Sequence, residues 1–117
     1  MKIQLWHSKD FDFRSELYAP LKENFSDIQW IFPHETDDTV VKSEETLKDV
    51  DIFLAEVRTA WTGLGIEIWF AHMYKKRIIC IYKSGSQISS SLRYVSEEFI
   101  EYENEADMIE KLKEIIS

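Results

Sequence analysis

Two apolar runs separated by a helix-like segment constrain the fold more than any other feature of this chain. Residues 51–57 and 77–82 are short and almost continuously apolar, as in strands buried on both faces of a parallel sheet. Between them lie a turn containing Gly63 and Gly65 and a helix-like run over 68–75. This order is that of a strand–helix–strand unit with a right-handed crossover. The pair of runs therefore predicts an α/β fold with a central parallel sheet.

Strand-like and helix-like segments also alternate along the rest of the chain. Further strands are predicted over residues 2–6, 28–32 and 99–102, and helices over 13–24, 43–50 and from the cap Asn104 onward. The last helix has an apolar stripe formed by Ala106, Ile109, Leu112, Ile115 and Ile116. We expect residues 1–117 to form one domain, a flavodoxin-like or Rossmann-like three-layer sandwich with five parallel strands in the order 2-1-3-4-5.

Composition narrows the range of partners and surroundings. The net charge of -8 argues against duplex nucleic acid as a partner, because such binding depends on Lys and Arg. The single cysteine, Cys80, lies in an apolar run, so we expect a buried, inert thiol and a reducing cytoplasm. The sequence has no signal-peptide pattern and no apolar stretch near the roughly 20 residues of a membrane span, so we expect no membrane partner.

Ligand-binding residues are expected where strands one and three end. In a sheet of this order, ligands bind at the carboxyl ends of those strands. His7 and Ser8 follow the first strand, and Glu56 ends the third. Glu67 is expected in the first turn of the next helix, where backbone N–H groups favour an anion. The histidines have no metal-ligand spacing, so we expect neither a metal nor a cofactor.

Two segments of the chain resemble a known enzyme group. Ala55-Glu56-Val57 followed by Gly63-Leu64-Gly65-Ile66-Glu67, and the serine-rich residues 84–93, are similar to motifs of the nucleoside 2-deoxyribosyltransferase-like superfamily. The branch they resemble most is that of the 2'-deoxynucleoside 5'-phosphate N-hydrolases. The resemblance implies that Glu67 attacks the anomeric carbon of a nucleoside and forms a sugar–enzyme ester, which water or another base resolves.

The resemblance also implies a phosphate-binding loop and a homodimer. Ser89 matches the loop serine that often reaches a neighbouring subunit, so the site would be shared between two copies. The resemblance and the position of residues at the carboxyl ends of strands one and three together predict the substrate-binding residues. They are His7, Ser8, Glu56, Trp61, Gly63, Gly65, Ser84, Ser89 and Arg93.

The chain departs from the family's pattern at four positions. Gln4 stands where the family has a strand-one tyrosine that steadies the nucleophile, and Ser43 lies near the position of an aspartate. Trp61 replaces a loop serine and Trp69 replaces a glycine. Because these are supporting positions, a non-catalytic nucleotide-binding or sensing domain is a second interpretation.

Other interpretations remain open beside the leading one, an N-glycosidic hydrolase or transferase acting on a nucleoside or nucleotide. Residues 7–13 resemble the first loop of TIR domains, some of which cleave the glycosidic bond of NAD with one glutamate, so NAD is an alternative substrate. A surface rich in Trp and Tyr would suit a structural or interaction module. By position alone, the candidate general acids are Glu44, Glu45 and Glu56.

Overall fold

A five-stranded parallel sheet forms the centre of the molecule. The computed structural model describes residues 1–32, 48–60 and 62–116. Within them the order β2-β1-β3-β4-β5 confirms the predicted topology, and all four neighbouring pairs are parallel. The strands are β1 (Lys2–Trp6), β2 (Gln29–Ile31), β3 (Ile52–Glu56), β4 (Arg77–Lys83) and β5 (Glu98–Tyr102).

Helices cover both faces of this sheet, as a three-layer sandwich requires. On one face a π-helical turn, Arg14–Tyr18, continues into α1 (Ala19–Asn24), which packs beside the last helix, α3 (Glu105–Ile116). We call this the α1/α3 face. The opposite face, the α2 face, carries α2 (Thr62–Met73) and a 3₁₀ turn, Ser90–Tyr94.

Two apolar clusters lie on either side of the sheet, because successive side chains of a strand point to opposite faces. On the α1/α3 face, Leu5, Leu54 and Ile81 pack with helical residues that include Leu17 and Met108. On the α2 face the cluster contains Trp6, Phe53, Ala55, Ile78 and Cys80 from the strands and Leu64, Ile68 and Ala71 from α2. Burial on both faces explains why these strands are almost continuously apolar in sequence.

Some local predictions differ from the structure. Helix α2 begins at Thr62, so the two glycines that suggested a turn lie inside the helix. In α3, Ile109 and Leu112 are buried as predicted, whereas Ala106 is exposed and its place in the core is taken by Met108. The helix predicted over 43–50 falls mostly outside the described residues, and residues 48–50 are not helical. No helix in the described part of the chain has both the length and the apolar character needed to cross a membrane.

Candidate functional site

Helix α2 carries Glu67, the residue implied to be the nucleophile. Because the helix starts at Thr62, Glu67 is its sixth residue and lies in the second turn, so the predicted first-turn position is wrong. Its side chain is half-buried, and the carboxylate oxygen Oε2 is buried. The backbone N–H groups at the helix start lie about one turn from Glu67 along the axis. They are therefore not the groups that directly surround its carboxylate.

A groove of about 580 Å³ opens on the α2 face between α2 and the 3₁₀ turn. We call it the apolar groove. Its described lining contains no charged side chain, and Ser89 and Ser91 contribute hydroxyl groups. Its volume lies in the range of small-molecule sites. The residues that line it are Val57, Ala60, Leu64, Gly65, Ile68, Trp69, Ser89, Ser91, Leu92, Tyr94 and Val95.

Glu67 and the apolar groove lie on different flanks of α2. Successive helical residues turn by about 100°, and the groove is lined by Leu64, Gly65, Ile68 and Trp69. Glu67 therefore points about 130° away from the centre of that set. Since the groove opens toward the 3₁₀ turn that leads into β5, Glu67 lies on the flank nearer β1. We call this the β1 flank of α2.

Gln4 is a buried polar residue in the middle of β1. Its neighbours along the strand, Ile3 and Leu5, belong to the core of the α1/α3 face, so Gln4 points to the α2 face. It has no exposed surface, and within the described residues neither Nε2 nor Oε1 of its amide has a hydrogen-bond partner. The resemblance drew attention to this position only as a departure. A polar residue between the apolar residues Ile3 and Leu5 is the signal that marks it in the sequence.

Glu56 belongs to a closed network on the α1/α3 face. Its carboxylate accepts hydrogen bonds from the Arg58 backbone N–H at 2.7 Å, Arg58 Nε at 2.6 Å and the Tyr102 hydroxyl at 2.5 Å. Arg58 Nη2 also donates to Tyr102 at 2.9 Å, and its guanidinium lies 3.8 Å from the Phe11 ring centre. Burial, followed by the Glu56 charge, raises the pKa of Tyr102 well above its ordinary value. The structure therefore places Glu56 away from both the apolar groove and the Glu67 flank.

His7 is also engaged on the α1/α3 face. It has no exposed surface, and its ring lies 4.4 Å from that of Phe13. Its Nδ1 is 2.7 Å from the Ser8 carbonyl oxygen, which can only accept, so Nδ1–H donates. Nε2 then accepts from the Tyr18 hydroxyl at 2.6 Å. Both ring nitrogens thus have protein partners, as expected of a structural histidine.

The loops that follow β1 and β3 are tied together by Asp10. The Ser8 hydroxyl donates to Asp10 Oδ1 at 2.5 Å, and the Thr59 hydroxyl donates to Oδ2 at 2.8 Å. These hydrogen bonds, that of Ser8 first, lower the pKa of the Asp10 carboxyl. Ser8 therefore lies at the predicted carboxyl edge of the sheet, where its hydroxyl links two loops.

The serine-rich segment follows β4 and leads into the 3₁₀ turn. Ser89 caps that turn, because its Oγ accepts from the Ser91 N–H at 3.3 Å, and it lines the apolar groove. The exposed Ser84 is tied to β5 through its N–H, which donates to the Tyr102 carbonyl oxygen at 2.9 Å. Arg93 is exposed and does not line the apolar groove.

The structure therefore distributes the predicted site residues over several places. Gly65 and Ser89 share the apolar groove, Glu67 lies on the β1 flank, and His7 and Glu56 lie on the opposite face of the sheet. Gly63 lies at the start of α2. The remaining predictions, Trp61 and the candidate residues Ser43, Glu44 and Glu45, lie outside the described residues.

Helix α2 also exposes apolar side chains to solvent. Ile66, Trp69, Phe70 and Met73 are 40–62% exposed, and the nearby Tyr94 is 85% exposed. The four helical residues have the spacing i, i+3, i+4, i+7, which places them along one side of the helix. We call these four residues the α2 stripe. Because Leu64, Ile68 and Ala71 are buried on the other side, α2 is apolar on two opposite sides.

A metal site and a reactive thiol each place requirements on the described residues. Residues 1–32, 48–60 and 62–116 contain no group of three or more His, Cys, Asp or Glu side chains placed to hold a metal ion. Burial raises the pKa of the Cys80 thiol to about 12, so it is neutral at ordinary pH. The predicted burial of Cys80 is confirmed.

Comparison with known proteins shows that the fold is shared with solved structures. A structure of the CMP N-glycosidase BcmB from Clostridium botulinum matches with a TM-score of 0.69 and 21% identity, over 97% of this chain and 99% of that one. A conserved protein from Enterococcus faecalis V583 matches with a TM-score of 0.62 and 16% identity, over 97% and 98%. No protein-family model and no curated protein matches the sequence. At these identities the likeness concerns the fold: a three-layer α/β sandwich that a CMP N-glycosidase also adopts.

Proposed function

We propose that this protein cleaves the N-glycosidic bond of a nucleoside or nucleotide, as a hydrolase or a transferase, with Glu67 as the nucleophile. The observation that carries the proposal is the position of Glu67. Its carboxylate lies on α2 with one oxygen buried, in a fold shared with a CMP N-glycosidase. Membership of the nucleoside 2-deoxyribosyltransferase-like superfamily is part of the same proposal.

The chemistry needs a carboxylate held close to the anomeric carbon. A Glu67 oxygen forms a bond to C1' of the sugar while the bond from C1' to the base nitrogen breaks and the base leaves with a proton from a general acid. Water, or a second base, then attacks C1' and releases the carboxylate. The negative charge of Glu67 stabilises the oxocarbenium-like transition state in both steps. A partly buried side chain suits this role, because packing restricts its rotamers and preserves its placement.

A pyrimidine nucleoside monophosphate is the substrate to test first. The solved N-glycosidase that shares the fold acts on CMP. In this proposal the phosphate is contacted by Ser84, Ser89 and Arg93 of a second copy of the chain, because within one copy Ser89 lies across α2 from Glu67. All three side chains are exposed and therefore accessible to a ligand. The apolar groove is a poor phosphate site, because its described lining contributes no positive charge.

The test is a base-release assay by liquid chromatography. Wild-type protein, Glu67→Gln and Glu67→Ala are incubated with CMP, other nucleoside monophosphates, nucleosides and NAD. Glu110→Gln, which changes an exposed glutamate on α3, is the matched control. We expect both Glu67 variants to lose activity by at least about a thousandfold while Glu110→Gln keeps it. Equal base release by folded Glu67 variants would refute the role of Glu67, and ligand-induced stabilisation without any base release would favour a binding or sensing domain.

We further infer that two copies of the chain associate through the α2 stripe. A helix that is apolar on opposite sides is typically buried on both. Large aromatic side chains each offer about 150–250 Å². At the observed exposures, the α2 stripe and Tyr94 together present roughly 500 Å² of accessible surface. A standard interface buries about 800 Å² on each partner, so this surface would supply a large part of it. The shared site implied by the resemblance belongs to this inference.

Sedimentation equilibrium tests the association. Trp69→Gln with Met73→Gln places two polar side chains on the stripe, and we expect the dimer to give way to monomer. Lys113→Gln, on an exposed position of α3, should leave the dimer intact. A wild-type protein that stays monomeric at high micromolar concentration would refute the inference.

A further inference from the structure

The Gln4 amide is buried at a place where the described residues offer it no hydrogen-bond partner. It has no exposed surface, and within the described residues both Nε2 and Oε1 are without a hydrogen-bond partner. The residues opposite it in the neighbouring strands are Phe53 and Ile31, which are apolar. A buried amide without partners opposes folding, since it has given up its hydrogen bonds to water. Methionine has a similar size and would avoid that loss.

Gln4 and Glu67 lie at a similar depth below the same edge of the sheet. Gln4 precedes the last residue of β1, Trp6, by two positions, or about 7 Å. Glu67 follows the first residue of α2, Thr62, by five positions, or about 7.5 Å along a helix that runs back from that edge. Both lie on the α2 face, and Glu67 is on the flank nearer β1. By these positions the Gln4 amide and the buried Oε2 of Glu67 lie on the same face of the sheet and at a similar depth below the same edge.

We propose that Gln4 is a specificity-determining residue whose amide hydrogen-bonds the edge of the substrate's base, in a site that it shares with Glu67. This inference rests on the proposed function and names the group that selects the base. A glutamine amide presents an acceptor beside two donors, so it pairs in two-bond fashion with an edge that has an adjacent acceptor and donor. The N3 atom and 4-amino group of cytosine form such an edge. Other bases with an adjacent donor and acceptor present the same chemistry.

The test pairs a change in the protein with a change in the base. The kcat/KM of CMP is compared with that of its analogue lacking the 4-amino group, for wild type, Gln4→Met and Gln29→Met. Gln29 is an exposed glutamine in the adjacent strand β2, so its variant is a matched control. We expect wild type and Gln29→Met to prefer CMP by about tenfold or more, because a site built for a hydrogen bond penalises an analogue that lacks it. In Gln4→Met the ratio of kcat/KM for CMP to kcat/KM for the analogue should fall to about one.

Thermal unfolding without ligand separates this role from a structural one. Removing an amide that has no partner among the described residues should leave the Tm unchanged or raise it by a few degrees, so we expect Gln4→Met to be at least as stable as wild type. A clear drop in Tm would show that the amide has a structural partner and would overturn the proposal.

The remaining outcomes separate Gln4 from the proposed function. If Gln4→Met keeps the wild-type preference for CMP, the inference about Gln4 is wrong and the N-glycosidase proposal stands. If wild-type protein releases no base from any substrate, the proposed function fails. The inference about Gln4 is then tested by the rise in Tm that CMP produces, compared with the rise that its analogue produces. It is overturned unless the difference between the two rises disappears in Gln4→Met.

Discussion

The two faces of the sheet satisfy their polar groups in different ways. On the α1/α3 face, the buried polar groups of His7, Glu56 and Tyr102 are hydrogen-bonded to other parts of the protein. On the α2 face, the Gln4 amide is buried without a described partner, and apolar side chains are exposed beside an open groove. The rule that buried polar groups are hydrogen-bonded is followed on the α1/α3 face. Among the described residues of the α2 face that rule is broken, and so is the rule that large apolar side chains are buried. Such breaks are expected at functional surfaces, which is why the proposed binding site is placed on the α2 face.

The largest expected effect lies in the Glu56 network. Arg58→Met removes the cation that neutralises a carboxylate without exposed surface, so we expect unfolding in urea to show a loss of about 3–5 kcal/mol. Arg93→Met, which changes an exposed arginine, should alter stability by less than about 0.5 kcal/mol.

The double variant Glu56→Met, Arg58→Met sharpens this prediction. With both charges removed, no uncompensated ion is buried, and much of the lost stability should return. If Arg58→Met costs no more than Arg93→Met, the network is not what stabilises this face, and the contrast between the faces would be weakened.

An intermediate effect is expected at two of the glycines. A Cβ added at Gly65 meets no atom within 4 Å, and the position is helical, so Gly65→Ala should stabilise the chain by about 0.5–1 kcal/mol. At Gly85, where φ is +90°, the same substitution should destabilise it by about 1 kcal/mol. Urea unfolding at low protein concentration measures both. A destabilised Gly65→Ala would mean that the groove wall is more crowded than the structure shows.

The smallest expected effect comes from an ion pair between the first residues of β4 and β5, at the edge of the sheet where the strands begin. Arg77 Nη2 lies 2.6 Å from Glu98 Oε1, and this contact lowers the pKa of Glu98 from its ordinary value near 4.5. A lowered pKa means that the pair stabilises the fold above pH 4.5 and that this contribution is lost as the pH falls below it. Because the pair is partly exposed, we expect less than about 1 kcal/mol.

A variant pair isolates this pH dependence. Arg77→Gln should reduce the fall in unfolding free energy between pH 5 and pH 3, compared with wild type. The control substitution Glu101→Gln changes an exposed glutamate in the same strand as Glu98. Introduced into both proteins, it should leave the difference between wild type and Arg77→Gln unchanged. A profile that does not respond to Arg77→Gln would remove the pair from the account.

The sequence predicted the sheet well because burial on both faces leaves a strong local pattern. Residues 51–57 and 77–82 contain β3 and most of β4, and right-handed crossovers leave few possible strand orders, among which the predicted one is observed. The start of α2 was misplaced because glycine has a low helix propensity, whereas packing of Leu64 and Ile68 decides the helix. Local preference was overridden there by tertiary contacts.

The candidate site was harder to predict than the fold. The alternation of Leu54 and Glu56 in β3 shows that they share a face, but a sequence alone does not say which helix covers that face. Nor does it reveal that Tyr102, far along the chain, holds the Glu56 carboxylate. The stripe from Ile66 to Met73 is readable as a helical pattern, but its exposure becomes clear only when the opposite side of α2 is seen to be buried.

The most direct test of the central claim is a crystal structure of the Glu67→Gln variant with CMP bound. The account predicts that the sugar's C1' atom lies beside residue 67 on the β1 flank of α2, with the base edge within hydrogen-bond distance of the Gln4 amide. A ligand seated instead in the apolar groove, remote from residues 4 and 67, would contradict it.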